Sequence, residues 1–290
     1  MGWSIVEVRP NVHMVNMPYP DKDDQWCLFL SDLHWDNPKC RRDLLARHLD
    51  EAVEHDAPIF LIGDTFCAMQ GKYDKRSSKI DLRPEHAEGN YLDSLVETAA
   101  DWFEPYKEHI ALIGYGNHET AIQNRHETDL VDRLCSRLRS KGGITRAGGY
   151  GGWLRFKFTR HKTKRGSITT YYHHGFGGGG PITKGSIDFS RYMMHARADI
   201  YIAGHVHYRM HFPDVQACLT EKGMVMQKQV DWVRCGTYKD EYVDGALGFH
   251  IEKGRGPRPM GGYWCRFHKR RAEGQAQDTI PTRQFIPTED

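Results

Sequence analysis

A chain of 290 residues, 39% hydrophobic and 27% charged, is long enough to bury one sizeable core and too apolar to be disordered throughout. Its formal charge of +2 argues against a protein that coats nucleic acid by bulk charge. No apolar run approaches the roughly 20 residues of a membrane span, and Met1-Gly2-Trp3-Ser4 does not open a secretory signal. The seven cysteines form no Cys-x-x-Cys pair and read as reduced core thiols, which predicts a cytoplasmic protein.

Three segments in the first half share one layout, an apolar strand followed by a short polar loop. Trp26 to Leu30 runs into Ser31-Asp32-Leu33-His34, Pro58 to Ile62 into Gly63-Asp64, and Ile110 to Tyr115 into Gly116-Asn117-His118-Glu119. Strands this continuously apolar suit a sheet covered on both faces. Between the first two a helix is predicted, capped by Asn37 with Pro38 in its first position and Leu45, Leu49, Ala52 and Val53 on one face. Further helices are predicted over Tyr91 to Tyr106 and from Thr128, the latter with Leu130, Val131, Leu134 and Leu138 on one side. Strand and helix alternate as in an α/β fold, whose ligand sites gather where loops leave the carboxyl ends of strands.

In the second half, Trp153 to Thr159 and Ser167 to His173 read as strands joined by the basic turn 160–166, followed by the glycine-rich run 175–181. A helix over Ile187 to Ala196 and a strand over Asp199 to Ala203 lead into Gly204-His205-Val206-His207. No repeat or clean linker interrupts the chain, so one domain over 1–268 and a polar tail over 269–290 are expected.

The 17 histidines are many for this length, and several fall in the strand-end loops. Asp32-x-His34, Asp64, Asn117-His118, His173-His174-Gly175 and His205-x-His207 together offer carboxylate, amide and imidazole donors, which suit Mn²⁺, Fe or Zn²⁺ better than Mg²⁺ or structural zinc. Singly, these residues are as readily turn residues, caps or satisfied histidines. Seven such ligands exceed one tetrahedral ion and fit two ions about 3.5 to 4 Å apart.

The series Asp-x-His, Gly-Asp, Gly-Asn-His-Glu, His and Gly-His-x-His, spanning residues 32 to 207 in order, resembles the calcineurin-like metallophosphoesterase superfamily. The resemblance implies a two-sheet β-sandwich flanked by helices, four layers in all, with the metals at one edge. It implies that Asp32, His34 and His207 bind one divalent ion and Asn117, His174 and His205 the other, with Asp64 bridging. His174 is preferred to His173 because several branches place this ligand directly before Gly. It further implies that a hydroxide between the metals attacks phosphorus in line, while His118 and Asn117 meet the phosphate and His118 assists the leaving group. Mn²⁺ is the metal expected first, with Fe, Zn²⁺ or Ni²⁺ as alternatives. Lys184 and Thr183, after the glycine-rich run, are possible substrate contacts.

The protein-phosphatase branch carries Asp-Arg-Gly where this chain has Cys67, Ala68 and Met69. Its absence counts against a protein phosphatase and leaves the group that orients His118 unassigned. Little chain remains for the capping domain of the nuclease branch. The layout is similar to uncharacterised phosphoesterases encoded by bacteriophages. A phosphodiester in nucleic acid or a nucleotide is the expected substrate; a phosphomonoesterase or a catalytically silent interaction scaffold of the same fold is the alternative. No membrane partner is expected, and the oligomeric state is open.

Overall fold

A computed structural model describes residues 1–69, 82–87, 89–180, 182–242, 249–252, 254–269 and 281–290. The first loop-bearing strands are β3 (Gln25–Leu30), β4 (Ile59–Leu61) and β5 (Ile110–Ile113), which pair in parallel, and β5 pairs in the same sense with the short β6 (Arg146–Ala147). On the other side of β3, β12 (Tyr263–His268) and β13 (Thr282–Pro287) add antiparallel strands, giving a six-stranded sheet in the order β13-β12-β3-β4-β5-β6. A seven-stranded sheet runs β1-β2-β7-β8-β9-β11-β10. Its strands are β1 (Ser4–Arg9), β2 (Val12–Pro18), β7 (Gly151–Arg160), β8 (Thr163–His173), β9 (Ile200–Ala203), β10 (Met210–Leu219) and β11 (Val225–Arg234).

Alternation along β3 explains why the two sheets stack. Cys27 and Phe29 face the second sheet: Phe29 stacks on its neighbour Phe60 of β4 at 5.1 Å and meets Phe156 of β7 edge-on across the interface. Leu28 and Leu30 face the other way, into a core shared with helices. That helical layer is α1 (Arg42–Glu54), α2 (Tyr91–Phe103), α3 (Asn117–His126) and α4 (Leu130–Ser140), with Leu45, Leu49, Leu95, Ala99, Leu134 and Leu138 buried. Across the molecule, α5 (Ile187–His195) covers the outer face of the seven-stranded sheet through Phe189 and Tyr192 against Tyr201, Ala203 and Val230. The architecture is mixed α/β, two sheets flanked by helices. No helix among the described residues is long and apolar enough to cross a membrane.

Three sequence expectations change in detail. The first helix begins at Arg42, because Asn37 Oδ1 accepts from Lys39 N at 2.9 Å and closes a separate turn; Val53 is 40% exposed rather than on the buried face. The second helix ends at Phe103, where Pro105 starts a single tight 3₁₀ turn over Glu104–Tyr106. The polar tail contributes β13, since Phe285 is buried opposite Cys265 while its neighbours stay partly exposed; residues 270–280 lie outside the described residues.

Candidate metal centre

The carboxyl ends of β3, β4, β5, β8 and β9 meet at one edge, where the loops hold one another through main-chain bonds. Asp32 N donates to Gly63 O and His34 N to Asp64 O, both at 3.0 Å, and Gly204 N donates to His174 O at 2.8 Å. His205 N donates to Asp32 Oδ2 at 2.8 Å, tying the second sheet to the first. Asp32, His34, Asp64, His205 and His207 all have left-handed backbones, with φ of 53°, 48°, 49°, 70° and 58°. For a residue with a Cβ each such conformation costs on the order of 1 kcal/mol. A turn selected only for folding would place Gly or Asn there, so the strain marks side chains kept for their chemistry.

Their donor atoms converge in two groups. In the first, His34 Nε2 lies 3.2 Å from His207 Nε2, which lies 3.2 Å from Asp32 Oδ1. In the second, His174 Nε2 lies 3.2 Å from Asp64 Oδ2, and with His205 their ligand atoms fall within 4.8 Å of one another. Asn117 Oδ1 stands 2.7 Å from His205 Nδ1. Two atoms each about 2.1 Å from a shared ion, at right or tetrahedral angles, are roughly 3.0 to 3.4 Å apart. The three close pairs have that separation. Asp32 and His174 are moreover fully buried, each facing an oppositely charged partner at 3.2 Å, and buried charges of this kind are paired or coordinate metals. The donor set therefore fits divalent ions.

The electrostatics agree. Burial alone would raise the Asp32 and Asp64 carboxyls, but the surrounding histidines, His207 and His174 for Asp32 and His174 and His118 for Asp64, hold both below the usual carboxylate range. His34 and His205 are pushed down, by burial first and then by neighbouring imidazoles. His174 goes the other way: burial would lower it, yet Asp64 and Asp32 lift it to about 10. Without an ion, its proton supplies the positive charge that two buried carboxylates demand.

His118 follows Asn117 at the start of α3, 3.9 Å from Asp64 Oδ2 through Nε2. What aims it is a main-chain atom: His118 Nδ1 sits 2.6 Å from the Cys67 carbonyl. That carbonyl is held in turn by Asp36, a buried carboxylate that accepts from Cys67 N at 2.5 Å and Ala68 N at 2.9 Å. Cys67 itself lies near His34 and His118, but burial lifts its thiol far above the range where a thiolate ligand forms. Glu119, also buried, accepts from the main-chain N–H of Asp64, Phe66 and Gly116 at 3.1, 2.9 and 2.8 Å and locks the Asp64 loop to α3. The stretch Gly236-Thr237-Tyr238-Lys239 anchors Asp32: Thr237 Oγ1 and Tyr238 N donate to its carbonyl.

His173 is not brought into either group; its Nδ1 accepts from Gly175 N and faces the Tyr192 hydroxyl, and its ring lies among Tyr150, Phe176 and Tyr192. Lys184 stacks on Tyr208 beside the His205–His207 loop, and Thr183 is exposed. The roles of Asp36 and Thr237 left no sequence signal, because each acts on main chain distant in sequence; Glu119 stands in the Gly-Asn-His-Glu motif, but its hold on the Asp64 loop is long-range.

No family model matches the chain, and no curated protein matches it. Among solved structures, the chain matches a conserved uncharacterized protein from Streptococcus pneumoniae TIGR4, described as a predicted phosphoesterase, at 15% identity and a TM-score of 0.30, over 84% of this chain and 83% of that one.

Proposed function

We propose that this chain is a dinuclear metal-dependent phosphoesterase that cleaves phosphodiesters in nucleic acid or a nucleotide. The observation that carries the reading is the spacing of the donor atoms: three pairs of ligand atoms 3.2 Å apart, drawn from separate strand-end loops. Asp32, His34 and His207 would hold one ion, Asn117, His174 and His205 the other, with Asp64 shared between the two groups. Bound there, Mn²⁺, or Fe, Zn²⁺ or Ni²⁺ in its place, supplies Lewis acidity and offsets the charge that grows on the phosphoryl oxygens. His118, with Nδ1 2.6 Å from the Cys67 carbonyl, turns Nε2 toward Asp64, a position from which it would donate to a phosphoryl or leaving-group oxygen. The Asn117 amide N–H₂ would be free to donate to the same phosphate while its Oδ1 serves as the ligand atom.

The scaffold alternative loses weight because all seven ligand positions and His118 are filled. The motif order and the His-His-Gly loop support a place beside bacteriophage-encoded phosphoesterases. Seven free cysteines, six of them buried, support a reducing cytoplasmic location.

The test is hydrolysis of bis-p-nitrophenyl phosphate against p-nitrophenyl phosphate by protein reloaded with Mn²⁺, with metal content measured in parallel. Two ions per chain and faster diester cleavage are expected; faster monoester cleavage would make it a phosphatase. Asp64→Ala should lose both activity and metal, whereas His118→Ala should lose rate and keep metal. Activity surviving in Asp64→Ala would sink the dinuclear assignment.

A further inference from the structure

Lys184, Tyr208 and Arg258 come from three separate segments and meet on one ring. Lys184 Nζ and the Arg258 guanidinium carbon each lie 4.8 Å from the centroid of Tyr208, inside the roughly 6 Å reach of a cation–π contact. All three side chains are half-buried. The stack is fixed to the candidate metal centre, because Arg258 Nη1 donates to the carbonyl of Val206, between His205 and His207. Gly185, next to Lys184, packs so close that a Cβ there would come within 3.1 Å of Val206 Cγ2, and its carbonyl accepts from the buried Arg234. Lys184 is itself held at a φ of 48°.

Two cations on one ring repel each other, and neither forms an ion pair among the described residues. Several basic side chains elsewhere on the surface are compensated, Arg41 by Asp43, Arg133 by Asp93 and Lys141 by Asp101. Glu241, which acts on Arg258 from a distance, is already 2.8 Å from Lys239. Burial, then the neighbouring Arg255, holds the Arg258 guanidinium below its ordinary pKa. Such a concentration of uncompensated, partly desolvated positive charge is complementary to an anion such as a phosphate.

We propose that the Lys184–Tyr208–Arg258 stack is a second anion subsite, receiving a phosphate group of the substrate beyond the one being cleaved. The inference rests on the phosphoesterase reading above and deepens it: the preferred substrate carries at least two phosphates, as an oligonucleotide or a phosphorylated nucleotide does.

The test compares the p-nitrophenyl ester of thymidine 5′-phosphate with the same compound bearing a 3′-phosphate, using full-length protein loaded with Mn²⁺. The added phosphate should lower KM about tenfold, one charge-assisted contact's worth. That preference should vanish in Lys184→Gln and in Arg258→Gln. Calorimetric titration of the metal-free protein with inorganic pyrophosphate reads the subsite without turnover, and binding should weaken about tenfold in either variant. Equal KM for both esters in the wild type, or equal pyrophosphate affinity in wild type and variants, overturns the subsite. No turnover of either ester overturns the phosphoesterase reading instead, and the pyrophosphate titration then decides the subsite alone.

Discussion

His118 depends for its aim on an atom that no side-chain motif encodes. An imidazole on a short side chain can turn about two torsions, and a hydrogen bond to Nδ1 fixes both the ring plane and the nitrogen left facing the reaction. Here the acceptor is the Cys67 carbonyl, and the carbonyl stays in place because Asp36 holds the N–H groups of Cys67 and Ala68. Tyr91 Oη donates to the same carboxylate at 3.3 Å. Asp36→Ala should therefore lower kcat about ten- to hundredfold with KM and metal content unchanged, since a small misplacement of a proton donor is costly. In ¹⁵N spectra of the metal-free protein, His118 should pass from one tautomer to a mixture. Asp36→Asn, which keeps one acceptor oxygen, should recover part of the rate. Loss of metal along with rate in Asp36→Ala would show that the residue supports the ligands rather than His118.

At the scale of elements, the site is built from strand ends that must approach very closely, and the glycines in its motifs serve that approach. Gly116 has an ordinary negative φ of −111°, so its backbone would accept any residue. A Cβ at Gly116, however, would sit 2.0 Å from Asp64 Oδ1. At Gly204 it would sit 2.0 Å from Ser31 Oγ and 2.5 Å from Asp32 Oδ2. Gly116→Ala should accordingly displace the Asp64 carboxylate and lower the affinity for Mn²⁺ by at least about tenfold, on the scale of a disturbed outer-shell contact. Calorimetric titration with Mn²⁺ checks this, and unchanged affinity would mean that the loop and α3 can part without cost. The strand–loop units were legible because an apolar run of strand length that stops at Asp, Asn or His marks both a buried strand and the loop that leaves it. Helix α3 was not: across Asn117–His126 only Glu119 and Ile122 are buried, so it shows no apolar stripe, and its first turn reads as a ligand loop. The late start of α1 escaped as well, because Asn37 and Pro38 have helix-start chemistry that a local turn uses instead.

On the scale of the whole molecule, two sheets with different internal order bring the ends of their parallel strands to one edge, and the interior between them is almost wholly apolar. The alternation that predicted strands did not predict which side chains of the second sheet face that interior, because β2 and β7 pair across more than a hundred residues of chain. One polar residue shares the buried side of β2. His13 is fully buried beside Val15 and Met17, and neither ring nitrogen has a hydrogen-bond partner among the described residues. Burial holds its pKa below the ordinary 6.5, Glu7 opposing and Arg146 reinforcing the shift. In the unfolded chain His13 takes up a proton as pH falls through about 6.5, while the folded chain refuses it until lower pH. The unfolded state then binds more protons, so stability declines with falling pH and the decline is complete only below the folded pKa. His13→Leu removes both orphaned nitrogens and this proton linkage together. At pH 8 the variant should be more stable by about 1 kcal/mol or more, the cost of unsatisfied buried polar atoms, and at pH 5 the difference should be larger. Urea denaturation of the metal-free protein at the two pH values measures both quantities, with metal linkage kept out of the comparison. A difference that stays constant between pH 8 and pH 5 would mean that His13 finds a proton acceptor in the fold and is not held neutral by burial.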